Sequence, residues 1–134
     1  MIEAIEKIVH SIPREELPTD AQTILRALTE RAEQMTNYLG GGVAAPHAHL
    51  DGIDKPTLAF GRSEEGVELG AANQRAEIFF LAISPSQTPN MQVQLVASIA
   101  RLIESEYVLN RLRKAKNPED LIETIRAGEQ VLPA

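Results

Sequence analysis

The chain has no cysteine and no tryptophan. Without thiols it can build neither a disulfide framework nor a thiolate metal site. Aromatic residues make up 4% of its 134 residues against 43% hydrophobic, so the core must be assembled from Leu, Ile, Val and Ala. No apolar run approaches the roughly 20 residues of a membrane-spanning helix. The opening MIEAIEKIVHSIPREE mixes acids into its apolar positions and carries no small-residue cleavage site, unlike a secretory leader. Positive charge is in deficit: 13 Lys and Arg face 19 Asp and Glu, a formal net charge of −6. A nucleic-acid binder needs a basic face, so that class is disfavoured. An acidic domain suits instead a partner with a basic docking patch. The expectation is a cytoplasmic protein with no membrane insertion, folded as one domain over residues 1–134.

Nucleotide and hydrolase signatures are missing as well. No Gly-x-Ser-x-Gly occurs, and Ser63, Ser84, Ser86 and Ser98 lack the context of a nucleophile elbow. The three glycines at 40–42 are not followed by Lys-Ser/Thr, so they form no Walker loop.

What is present alternates between helical and extended patterns. Ile2, Ile5, Ile8 and Val9 share a helical face that Pro13 ends. A second helix is capped by Thr19 or Asp20 and carries Ile24, Leu25, Leu28, Ala32 and Met35, with Arg31 beside that stripe. Val43–Ala45 and Pro56–Arg62 read as strands, with a loop bearing Glu64, Glu65 and Gly66 after the second. The run Ile78–Ile83 is short and wholly apolar, as in a strand covered on both faces. A third helix starts at Thr88-Pro89 and buries Met91, Leu95, Ile99 and Leu102. A fourth spans about 104–114, and a last one opens at Asn117-Pro118 and buries Leu121, Ile122 and Ile125. Helices interleaved with strands predict an α/β three-layer sandwich on a small mixed sheet.

The stretch GGGVAAPHAHL, residues 40–50, holds two of the three histidines. Pro46 fixes its own φ and drives Ala45 towards extended geometry, so His47 leaves a strand end on a stiff base. A neutral imidazole offers one lone pair, which can attack phosphorus, ligate a metal or move a proton. A plain surface-loop histidine has the same local signature. A metal site from His47 and His49 with Asp51 or Asp54 is a further reading, of low specificity. His10 reads as a surface or half-buried helix residue. Glycine backbone near His47 offers N–H donors, and Tyr38, Leu39 and Leu50 offer apolar contacts for docking.

The pattern Gly40-x-Gly42-Val43-Ala44-x-Pro46-His47 resembles the active-site segment of the fructose/mannitol-type enzyme IIA domains of the bacterial phosphotransferase system, whose relatives include the nitrogen-regulatory IIA proteins. Arg31 stands 16 residues before His47, as an arginine does in that family. The run KPTLAFGR and the helix with Gln94-Leu95-Val96-Ala97 are similar to its later elements. The resemblance implies that His47 is a phosphoryl acceptor, charged by the phosphohistidine of HPr or a nitrogen-branch HPr-like carrier. It implies delivery to a IIB domain, or use of the phosphorylated state to signal to a transporter or kinase. Arg31 would neutralise phosphate charge, and no cofactor or metal is needed. The resemblance suggests Nε2 as the phosphorylated nitrogen. Three positions depart from the pattern. Gln92 stands where a second histidine is usual, Tyr38 where glycine is common, and Ala45 where a branched residue is usual. These fit a regulatory domain better than a fast sugar-transport one. His49 is the candidate to replace the missing imidazole, although its place on the same short segment reads as a loop residue pointing away.

Overall fold

The computed structural model describes residues 1–34, 37–54, 56–70 and 74–115. Its elements run α1 (Ile2–Ser11), a 3₁₀ turn (Arg14–Glu16), α2 (Ala21–Gln34), β1 (Tyr38–Gly40), β2 (Val43–Ala44), β3 (His47–Leu50), β4 (Thr57–Glu68), β5 (Arg75–Pro85), α3 (Pro89–Leu102) and α4 (Glu106–Lys114). The expected final helix at Asn117, and Met35 of the second helix, lie outside the described residues.

β5 is the centre of a five-stranded mixed sheet. β4 pairs antiparallel along one side of it. β2 and β3 run end to end along the other side, both parallel to it: Val43 is opposite Ile78 and His47 opposite Ala82. β1 adds antiparallel to β2, and β3 pairs only with β5 among the described residues. Among the described residues β3 is therefore a sheet edge.

Helices cover both faces, giving the three layers expected. Ile5, Ile8 and Val9 of α1 and Ile24 and Leu28 of α2 pack on Phe79, Leu81 and Ile83. Ile99 and Leu102 of α3 and Val108 and Leu112 of α4 pack on Ile78 and Phe80. Each such side chain, fully buried, contributes roughly 1.5–3 kcal/mol. Ala76 breaks the alternation of β5 by joining the first face. The cause is a bulge: the amides of Glu77 and Ile78 both donate to the Gly42 carbonyl, at 2.8 and 3.1 Å. One extra residue shifts the parity of everything beyond it.

Several local expectations are refined. Ile2 is 41% exposed rather than part of the α1 core face. Asp20, not Thr19, caps α2: its carboxylate accepts from the Thr23 amide at 2.9 Å and from the Thr23 hydroxyl at 2.7 Å. These bonds hold its pKa below the usual carboxylate value. Thr88 occupies the N-cap of α3, but its hydroxyl bonds back to the Pro85 carbonyl, at 3.3 Å, and caps nothing. Glu64, Glu65 and Gly66 are not a terminal loop. They belong to a register slip inside β4, which runs on past it, with Arg62 opposite Ile78 and Val67 opposite Ala76. Gly66 takes φ 81° there, and its amide donates to Ser63 Oγ at 3.1 Å.

Candidate functional site

Pro46 is fully buried and breaks one extended segment into β2 and β3. Its carbonyl still accepts from the Ala82 amide at 3.0 Å, so the chain re-enters the sheet at once. His47 is therefore the first residue of a strand, not of a loop. Ala48 and Leu50 pack towards α1 and α2, so by strand alternation His47 and His49 lie on the α3 side.

His47 is half-buried, and its Nδ1 sits 2.7 Å from the Ala45 carbonyl oxygen. A carbonyl only accepts, so Nδ1 carries the hydrogen and donates, and Nε2 is left with the lone pair. The imidazole pKa is lowered below the ordinary 6.5, first by burial, then by the positive charges of Arg31 and His49, against the Ala45 bond that raises it. At neutral pH the ring is uncharged and nucleophilic at Nε2.

Arg31, His49 and Gln92 come together. With Ala27, Glu30, Gln34 and Ala48 they line a cleft of about 420 Å³ along the edge of β3, between α2 and the start of α3. His47 does not line this cleft, although its ring feels the charges of Arg31 and His49. Arg31, in the last turn of α2, is exposed and has no carboxylate within ion-pair distance among the described residues. Gln92 is 5% exposed, and its Nε2 has no hydrogen-bond partner among the described residues. The buried face of α3 thus begins with Gln92 and continues through Ile99 and Leu102, while Met91 and Leu95 are only half-buried. His49 is exposed, yet it is not a loop residue pointing away: it lies in β3 opposite Ser84, and its Nδ1 is 3.3 Å from the Ser84 hydroxyl. His10 is exposed on α1, as expected.

The glycines serve another purpose than cradling an anion. Gly40, Gly41 and Gly42 all have positive φ, at 92°, 61° and 80°, and turn β1 into β2. The Gly42 amide donates to Tyr38 Oη at 3.0 Å. Arg113 of α4 donates to the Gly41 carbonyl. At about 3.3 Å per strand residue, this turn lies on the order of 15 Å from His47. Tyr38 and Leu50 pack against one core cluster and Leu39 against the other, each half-buried. Among the described residues no three His, Asp or Glu side chains gather as a metal site, and no helix is long and apolar enough to cross a membrane. Sequence reasoning missed Ser84, which is fully buried at the end of the apolar β5 run, and Glu30, one position before Arg31.

The domain is a three-layer α/β fold with a half-buried histidine at the head of an outer strand. Comparison with known proteins gives the family. Residues 1–128 match the model for the phosphoenolpyruvate-dependent sugar phosphotransferase system, EIIA 2, and the chain belongs to that family. It is 32% identical over 101 residues to the PTS system fructose-specific EIIA component of Haloferax volcanii, covering 75% of this chain. It is 25% identical over 127 residues to the fructose-specific EIIABC component of Bacillus subtilis, covering 94% of this chain. These matches span 66% of the first relative's length and 20% of the second's. The fold superimposes on nitrogen regulatory protein IIA-Ntr of Neisseria meningitidis with a TM-score of 0.81 at 20% identity, covering 92% of this chain and 85% of that one. It also matches enzyme IIA-mannitol in complex with phosphorylated enzyme IIB-mannitol from Escherichia coli, with a TM-score of 0.76 at 19% identity, covering 94% of this chain and 87% of that one.

Proposed function

We propose that the chain is a phosphohistidine carrier or regulatory domain of a phosphotransferase system and that His47 accepts the phosphoryl group. The single observation that carries this reading is the Nδ1–Ala45 hydrogen bond, which leaves Nε2 as the nucleophile. The donor is the phosphohistidine of HPr or of its nitrogen-branch homologue. Nε2 of His47 attacks phosphorus in line. Its N–P bond forms as the donor's N–P bond breaks, and the donor imidazole leaves with the electron pair. Nδ1–H stays on the Ala45 carbonyl and partly neutralises the ring. Arg31 offsets the charge of the transferring group, a step in which positioning and electrostatics dominate. Gln92 is a neutral donor beside it, and His49 is the second imidazole. The acceptor is a IIB domain, as in the complex named for the mannitol relative, or the phosphorylated state is itself the signal.

The second reading is a domain that controls a transporter or kinase by contact and is never phosphorylated. Gln92 favours it, because an amide cannot change charge where a second imidazole could. Labelled phosphoenolpyruvate, enzyme I and a carrier separate the two. Acid-labile, alkali-stable label on the wild type that is lost in His47→Ala supports transfer. Absence of label with every carrier tried supports contact alone.

A further inference from the structure

We propose that Ser84 is a positioning residue for phosphoryl transfer: its hydroxyl donates to His49 Nδ1 and fixes that ring with a donor hydrogen on Nε2. The role rests on the transfer reading and adds a residue to it. Ser84 is an exception in its strand. It is fully buried, and it follows the wholly apolar run Ile78–Ile83. A buried hydroxyl without a partner is costly, so a serine there calls for one. Its side-chain partner among the described residues is His49 Nδ1, at 3.3 Å. Register brings the two together. β3 runs parallel to β5 with His49 opposite Ser84, and opposite residues project from the same face of a sheet.

The direction of this bond follows from what each atom can offer. A serine hydroxyl has one hydrogen to place. If His49 donated from Nδ1, that hydrogen would stay buried with no acceptor among the described residues. If Ser84 donates, the hydrogen is placed and the Nδ1 lone pair is used. The second arrangement satisfies both groups. In neutral His49 the ring proton then sits on Nε2, on the far side of the ring from Ser84. His47 has the opposite form, because its Nδ1 donates to the Ala45 carbonyl and Nε2 keeps the lone pair. The two rings share one face of β3, two residues or about 7 Å apart along the strand. One presents a nucleophilic nitrogen and the next a donor hydrogen, each set by a bond at its other nitrogen. A phosphoryl group in transit to His47 carries charge on its equatorial oxygens. A donor already held in place stabilises that charge without reorganisation at the moment of transfer. The proton stays on His49 throughout, so its donation needs no change of charge.

The test pairs labelling kinetics with spectra of the full chain. Phosphoenolpyruvate, enzyme I and a carrier charge each variant under rapid quench. Ser84→Ala should accept label about tenfold more slowly, the order of one oriented hydrogen bond. Ser84→Thr keeps a hydroxyl on a side chain suited to a strand and should restore most of the rate. In a His49→Leu background Ser84→Ala should make no further difference, whereas a merely structural serine would slow both backgrounds alike. Long-range ¹H–¹⁵N spectra of ¹⁵N-histidine-labelled protein with neutral rings should show His49 protonated on Nε2 and His47 on Nδ1. Ser84→Ala should then shift Nδ1 of His49 and leave His47 in place. A His49 protonated on Nδ1, a rate change under twofold in Ser84→Ala, or equal slowing in the His49→Leu background overturns the proposal while the transfer reading stands. A wild type that takes no label from any carrier ends the transfer reading, and this role with it.

Discussion

The ring nitrogen Nδ1 of His47 lies 2.7 Å from the backbone carbonyl of Ala45, two residues earlier in the chain. Pro46 between them is fully buried and fixes the kink that brings the two together. One local bond therefore decides which nitrogen is the base and which the donor, before any partner arrives.

The ionisation of His47 follows from its surroundings. NMR titration should place its pKa below 6.5, with burial the larger cause and Arg31 the smaller. Arg31→Ala should move it upward only part of the way. Below 6.5 the unfolded chain binds the proton more readily than the folded one, so stability is unaffected above that pH and declines as pH falls towards the folded pKa. His47→Asn should flatten that decline in chemical denaturation below pH 6.5. A wild-type pKa at or above 6.5 contradicts the placement.

In the proposed transfer, Arg31 offsets the charge of the transferring group. Arg31→Ala should slow phosphoryl acceptance by roughly 10²–10³-fold, the typical effect of removing one charge-stabilising donor. Arg31→Lys should restore only part, since an ammonium lacks the planar fork. Rapid-quench labelling measures both, and a change under twofold in Arg31→Ala contradicts the role.

Close packing of α1 on β4 depends on Gly61. A Cβ built there would lie 2.6 Å from Ile8 Cγ1 and closer still to its Cδ1. Gly61→Ala should cost about 1–3 kcal/mol by overpacking. Ile8→Val, which removes Cδ1, should recover part of that loss, so the two changes combine non-additively in urea unfolding.

Ser105 caps α4, its hydroxyl accepting from the Val108 amide at 3.3 Å. Ser105→Ala should lower stability by about 1 kcal/mol. Because α4 also holds the glycine turn through Arg113, amide exchange at Gly41 and Gly42 should quicken in the same variant.

Much of the fold was legible because periodicity reports burial. The wholly apolar run 78–83 announced a strand covered on both sides, and β5 is that strand. What was not legible depended on register. The bulge at Glu77 and the slip at 63–66 leave no periodic mark, so a β4 of 12 residues read as a short strand and a loop. His47 and His49 read as loop residues because four residues after a proline are too few to show alternation; only pairing with β5 makes them a strand. Gln92 was placed as a polar neighbour by alignment, but a helix stripe chosen for apolar residues selects Met91, and only the packing shows the amide buried. The three glycines were expected to offer N–H donors near His47, but they turn β1 into β2 away from it, since conformational freedom carries no information about distance.

The most direct measurement is a long-range ¹H–¹⁵N and ³¹P spectrum of ¹⁵N-histidine-labelled protein charged with phosphoenolpyruvate, enzyme I and carrier. The expected result is a phosphorus coupling on Nε2 of His47 alone, with Nδ1 still protonated and the signal missing in His47→Ala. Coupling on Nδ1, coupling on His49, or an uncharged His47 with a carrier that charges other IIA domains would contradict the assignment.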